Sequence, residues 1–259
     1  MQDIRHWNAQ DTLRVARSKS GVLVTAHPRD NLVLCGTAPA SAPEILQKCS
    51  KSLRFGGATT EDSTAATSGL GFYCDLQSLN SEDAITWSVF GNLAYLPALE
   101  RRTIWNNILD LLHEAPLESD PTCWLWRRLP HPEKEESNGG PEIDFGCMAE
   151  RTLILGEAKW NSPLGTGQGV NKDRSQLDLR RAYLERLAPR AFPEAKRRIV
   201  LGVGRRADLF CDTPGPGIHC LTWEQVVECF DDPLRDELHR YLAWKNEFAS
   251  ALPEPPVPA

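Results

Sequence analysis

Asp144, Glu157 and Lys159 are the residues of this chain whose types and spacing could do chemistry together. They lie in one stretch, PEIDFGCMAERTLILGEAKW, from Pro141 to Trp160, which reads as two short strands joined by a tight turn. Side chains alternate faces along a strand, so Leu153, Leu155, Glu157 and Lys159 share one face, opposite to Ile154, Gly156, Ala158 and Trp160. Charges taken out of water must be paired or bound to metal. A two-residue turn centred on Ala149 and Glu150 sets Asp144 opposite Leu155 and diagonal to Glu157, at roughly 7–8 Å between backbones. Two carboxylates at that spacing can share one divalent cation. The same turn puts Glu142 directly opposite Glu157, either as a further ligand or as a solvated residue at the strand mouth. A three-residue turn would carry Asp144 to the wrong face.

The chain around this stretch is that of an ordinary globular protein. Its 259 residues are enough for one large domain or two small ones. A net charge of −6 provides no global basic field, so any nucleic-acid partner must be gripped by a local basic surface. The eight cysteines form no Cys-x-x-Cys pair and no Cys/His cluster with zinc spacing. They read as reduced, mostly core residues of a cytoplasmic protein. The opening MQDIRHWNAQ holds no apolar signal core, and no apolar run is long enough for a bilayer, so no membrane partner is expected.

Local patterns place the remaining elements. Val22 to Thr25 and Asn31 to Cys35 read as a hairpin, and Pro43 to Leu53 as a helix with Ile45, Leu46, Cys49 and Leu53 buried. Gly56 to Gly71 is a Gly/Ala/Ser/Thr-rich loop or linker. This gives an N-terminal extension or accessory region over 1–71, a main domain over 72–250, and a disordered Pro-rich tail over 251–259. Asn80 to Leu96 is a helix capped by Asn80 with Asp83 as its box partner, buried through Ile85, Val89, Leu93 and Leu96. Leu99 to Glu114 forms a second helix and Thr122 to Leu129 a strand, with a polar loop from His131 to Gly140 before the hairpin. Trp124, Trp126 and Trp160 read as core. A glycine loop through Gly165, Gly167 and Gly169 leads to a helix over Asp173 to Leu187 and a strand over Arg198 to Val203. A loop over Asp212 to Gly217, a strand over Ile218 to Leu221, a helix opened by Thr222 and a last helix over Pro233 to Ala249 follow. The order implies an α/β fold, with a mixed central β-sheet flanked by helices.

Asp144 on one strand, Glu157-x-Lys159 on the next, then a helix and a further strand resemble the PD-(D/E)xK nucleases, which have a restriction-endonuclease-like core. The resemblance spans roughly residues 80 to 221. It implies a metal-dependent endonuclease that hydrolyses phosphodiester bonds of DNA in restriction or anti-phage defence, with Mg²⁺ or Mn²⁺ as cofactor. An RNase or DNA-repair nuclease of the same fold, or a non-catalytic nucleic-acid-binding subunit, are the alternatives. The partners to expect are DNA and either a second copy of the chain or a separate defence-system protein. Hard oxygen ligands suit such a metal, which assigns Asp144, Glu157 and the Ala158 carbonyl to it and leaves Lys159 to orient or deprotonate the attacking water. By resemblance, Glu82 in LNSEDAITWSVFGNL completes the metal site; alternatively it is an acid stabilising a helix N-terminus. Gln176, opening the helix after the hairpin, takes an orienting role. The Gln-x-x-x-Tyr pattern of RecB-like members is broken, since Arg180 stands at the fifth position and the nearest tyrosine is Tyr183. Lys172 and Arg174 are the candidates for gripping phosphates. Arg180 and Arg181 on the helix, with Arg127 and Arg128 on the preceding strand, could join them where close to the site, although helical arginines mostly read as ordinary solvated charges; the Gly165 to Gly169 loop reads as a substrate-edge loop.

Overall fold

The computed structural model describes residues 2–17, 21–34, 39, 41–52, 74–132, 140, 142–161, 176–206, 210 and 217–249. The 56–71 linker, most of the 131–140 and 212–217 loops, the glycine loop and the tail lie outside the described residues. In chain order the elements are β1 (Gln2–Arg5), β2 (Thr12–Arg17), β3 (Leu23–Thr25), α1 (Pro43–Ser52), α2 (Glu82–Thr86), a π-helical turn (Trp87–Gly91) and α3 (Asn92–Tyr95). Then come α4 (Ala98–Leu111), β4 (Thr122–Arg128), β5 (Glu142–Met148), β6 (Thr152–Ala158), α5 (Gln176–Arg186), α6 (Ala188–Ala191) and β7 (Arg197–Gly204). The chain closes with β8 (Ile218–Thr222), α7 (Trp223–Val227) and α8 (Leu234–Glu247).

These elements divide into two compact units, Met1–Tyr95 with Asp231–Ser250, and Leu96–Phe230 with Ala251–Ala259. The division falls at Leu96 rather than at 71, because α8 and the α2–α3 helix pack with the N-terminal segment. Asn31 is the hub of the first unit. Its amide donates to the carbonyls of Leu76 and Ser78, both at 2.7 Å, its carbonyl accepts from Tyr241 at 2.9 Å, and its Oδ1 accepts from Lys245 at 3.1 Å.

The first unit differs from expectation in three places. Its sheet is the antiparallel β1–β2–β3, and residues 31–34, the described part of the expected second strand, do not pair with Val22 to Thr25; Pro28–Asn31 forms a 3₁₀ turn instead. The helix cap is Ser81, whose hydroxyl accepts from the Ala84 N–H at 3.0 Å, not Asn80. Asp83 pairs with the buried Lys48 at 2.8 Å. On α1, Ile45 and Cys49 are buried as expected, whereas Leu46 is exposed.

The second unit is built on a five-stranded mixed sheet of order β4-β5-β6-β7-β8. β4, β5 and β6 run antiparallel, and β6, β7 and β8 parallel. Every residue of the central strand β6 is buried, as a strand covered on both faces requires. Leu153 and Leu155 meet Leu177, Tyr183, Leu184 and Leu187 from α5 and its C-terminal turn, which lays α5 over the face that also carries Glu157. Phe145 pairs with Gly156 across the hairpin, and a Cβ at 156 would overlap the Phe145 ring. Trp124, Trp126 and Trp160 are buried. No helix among the described residues is long and apolar enough to cross a membrane.

Candidate active site

The site grows out of the β5–β6 turn. Ala149 and Thr152 exchange both backbone hydrogen bonds, so the turn is two residues long and centred on Glu150 and Arg151, one residue later than expected. Contacts from outside the hairpin hold it there. The Glu150 N–H donates to Ser119 Oγ at 2.9 Å, and the Arg151 carbonyl accepts from the Lys196 and Arg197 N–H groups. The even length keeps Asp144 on the Glu157 face, and the shifted centre changes its partner. Phe145 pairs with Gly156, and the next step of the ladder sets Asp144 directly against Glu157. That step is a non-hydrogen-bonded pair, the kind in which side chains approach most closely.

The ladder opens at this point. The Ala158 N–H, whose ladder partner in continued register is the Ile143 carbonyl, instead donates to Asp144 Oδ2 at 2.8 Å. The N–H and C=O of one strand residue point to the same side, so the Ala158 carbonyl also faces β5. Lys159 is fixed through its main chain. Its N–H donates to the Val203 carbonyl at 2.8 Å, and its carbonyl accepts from the Trp223 indole at 2.9 Å. Glu142 is not opposite Glu157. It pairs with Arg128 on β4, to which it also forms an exposed ion pair at 3.4 Å.

Glu157 has no exposed surface, and its two oxygens meet two different cations. Lys159 Nζ lies 2.6 Å from Oε1, and Arg180 Nη2 contacts Oε2. Each carboxylate oxygen is thus held by one cation, Oε1 by Lys159 and Oε2 by Arg180. Burial outweighs the two cations and, with the Asp144 charge adding to it, pushes the Glu157 carboxyl up to about 8.

Arg180 corrects the reading of the helical arginines as solvated. It is 1% exposed, and it lies three residues from Leu177 and four from Leu184 on the buried stripe of α5. Nη1 donates to the Gln176 carbonyl at 2.9 Å and Nη2 to the Glu142 carbonyl at 2.7 Å. The 3.6-residue period of the stripe was the signal that could have found it.

The other candidates are placed less centrally. Gln176 is the first residue of α5, half-buried, and contributes its carbonyl to Arg180. Glu82 belongs to the first unit, in the opening turn of α2, where Asp75, Ser78, Ser81 and Asp83 line a surface depression with it. Lys172 and Arg174 lie outside the described residues. Arg127 and Arg128 are exposed on β4, with Arg127 over the Trp124 ring at 5.4 Å.

No cluster of three His, Cys, Asp or Glu side chains is gathered for a metal among the described residues. What the second unit does gather is two facing carboxylates, a main-chain carbonyl on the same side, and a guanidinium nitrogen seated among oxygens. The carboxylates and the carbonyl are oxygen ligands that suit a hard divalent cation keeping several waters, and the guanidinium holds that place with its own positive charge. Glu157 Oε2 and Asp144 Oδ2, both within reach of Arg180 Nη2, are the carboxylate oxygens such an ion would share. Compared with protein-family models, curated proteins and solved structures, the chain gives no match. The resemblance to PD-(D/E)xK nucleases therefore rests on the trio, its register and the order of elements around it.

Proposed function

We propose that this chain is a metal-dependent endonuclease of the PD-(D/E)xK type, cutting phosphodiester bonds of DNA in restriction or anti-phage defence. One observation carries the reading: Asp144 faces Glu157 across the hairpin, with Lys159 two residues further on the same face. Asp144, Glu157 and the Ala158 carbonyl would hold Mg²⁺ or Mn²⁺. Such an ion would lower the pKa of a bound water and offset charge on the phosphate. Lys159 would orient the attacking water and stabilise the charge developing at phosphorus. The pinned main chain on either side of Lys159 fixes where its ammonium works.

The charge balance favours a second reading. Two acids face two cations, as in a buried ion-pair tetrad of a non-catalytic nucleic-acid-binding subunit. Against it, buried ion pairs seldom gain stability, and burial holds the Glu157 carboxyl up at about 8 despite both cations.

The test is incubation of the protein with supercoiled plasmid, single-stranded DNA and RNA, each with Mg²⁺, Mn²⁺ or a chelator. The proposal expects plasmid nicking or linearisation with either metal and none with chelator. Cleavage confined to RNA selects the RNase alternative, and binding without cleavage on every substrate selects the non-catalytic one.

A further inference from the structure

Arg180 is a buried charge of the second unit that the proposed reaction does not use. One of its nitrogens, Nη2, contacts Glu157 Oε2, donates to the Glu142 carbonyl at 2.7 Å and lies 4.0 Å from Asp144 Oδ2. It therefore stands among three oxygens, two of them from the facing carboxylates. A guanidinium carries a positive charge and only hydrogen-bond donors, so it occupies these oxygens as a cation would. Glu157 Oε1 is already engaged by Lys159, which makes Oε2 the oxygen left for an ion shared with Asp144. That is the oxygen Arg180 covers.

We propose that Arg180 and the divalent ion compete for Glu157 Oε2, so that Arg180 sets the metal affinity of the site and must leave that oxygen when the ion binds. The inference rests on the metal-site reading above. Two features make the competition strict. An ion bound at 2.0–2.1 Å from oxygen cannot share so small a space with a permanent positive charge. Arg180 is also anchored to the first residue of α5 through the Gln176 carbonyl, so its withdrawal couples metal binding to the start of that helix. Arg180 is thus a positioning residue. A merely structural arginine would leave metal affinity unchanged or weaken it on removal, whereas a competitor strengthens it.

The experiment titrates Mn²⁺ into the full chain, following free Mn²⁺ by electron paramagnetic resonance, for wild type, Arg180→Met and Asp144→Asn. The competition predicts that Arg180→Met binds Mn²⁺ tighter by about tenfold or more, and that Asp144→Asn abolishes binding. Equal or weaker binding by Arg180→Met, with binding still lost in Asp144→Asn, overturns the role of Arg180 and leaves the metal site standing. Mn²⁺ binding that is indifferent to Asp144→Asn removes the metal site and the inference with it. A measurement on the unaltered protein decides the matter should Arg180→Met fail to fold. The side-chain Nε–H resonance of Arg180, assigned from its disappearance in Arg180→Lys, is followed during a Mg²⁺ titration. Displacement predicts that it shifts in step with binding; a resonance unmoved at saturating Mg²⁺ contradicts it.

Discussion

Asp144 and Glu157 face each other across the β5–β6 hairpin, and Asp144 Oδ2 takes the Ala158 N–H that the ladder would otherwise give to a backbone carbonyl. Opening the ladder one step beyond the Phe145–Gly156 pair lets a carboxylate enter between the strands. It brings the acid, the main chain of Ala158 and the Glu157–Lys159 pair to one place at the end of the central strand.

This register can be tested through its last regular pair. Gly156→Ala forces a Cβ into the Phe145 ring and should destabilise by about 1–3 kcal/mol. Phe145→Leu removes ring atoms from the same space, so a urea-denaturation double-mutant cycle should show a coupling of about 0.5–3 kcal/mol. Additive effects would contradict the register, because a turn centred one residue earlier sets Gly156 against Ile143.

Glu157 makes stability depend on pH. Its carboxyl titrates near 4.5 in the unfolded chain and at about 8 in the fold, so between those values the native state holds a proton that the unfolded state has lost. Stability from this group is fully present below pH 4.5 and is lost as pH rises toward 8, by up to about 1.4 kcal/mol per unit. Glu157→Gln removes the titration. Urea midpoints at pH 5, 6.5 and 8 should show wild type losing ground to Glu157→Gln as pH rises, and parallel profiles would count against the burial of this carboxyl.

Lys245 gives the opposite slope in the first unit. It is fully buried, donates to Asn31 Oδ1, and lies 5.9 Å from the Tyr241 ring centre; burial holds its ammonium well below the usual lysine range. The unfolded chain takes up that proton below about pH 10.4, whereas the fold resists it. Wild type should therefore lose stability relative to Lys245→Met as pH falls from 10 toward 7. Chemical denaturation at these two pH values measures it, and a difference independent of pH would show that the lysine stays charged in the fold.

Strand parity alone put Glu157 and Lys159 on one face and required an even turn, and both survive in the structure. The centre of the turn was not legible. Glu-Arg is no turn signature of the Asn-Gly kind, and the contacts that choose it come from Ser119, Lys196 and Arg197, outside the hairpin. Arg180 was legible by period and hidden by type: its spacing from Leu177 and Leu184 marks a buried stripe, but an arginine is ordinarily read as solvated. Ser81 and Asn80 are adjacent residues of equal capping ability, so sequence could not choose between them. β1 and β2 carry charges and mostly exposed positions, which weakens their strand signal beside the more apolar runs that follow.

The central claim is that Asp144, Glu157 and Lys159 form a phosphodiester-cleaving metal site. Its most direct test is the single-turnover rate of supercoiled plasmid cleavage in Mg²⁺, for wild type beside Lys159→Ala and Asp144→Asn, each variant confirmed as folded by cooperative thermal unfolding. The site predicts cleavage by wild type and a loss of about 10²–10⁴-fold in Lys159→Ala, with no cleavage above background in Asp144→Asn. Cleavage that persists at the wild-type rate in both folded variants would contradict the assignment.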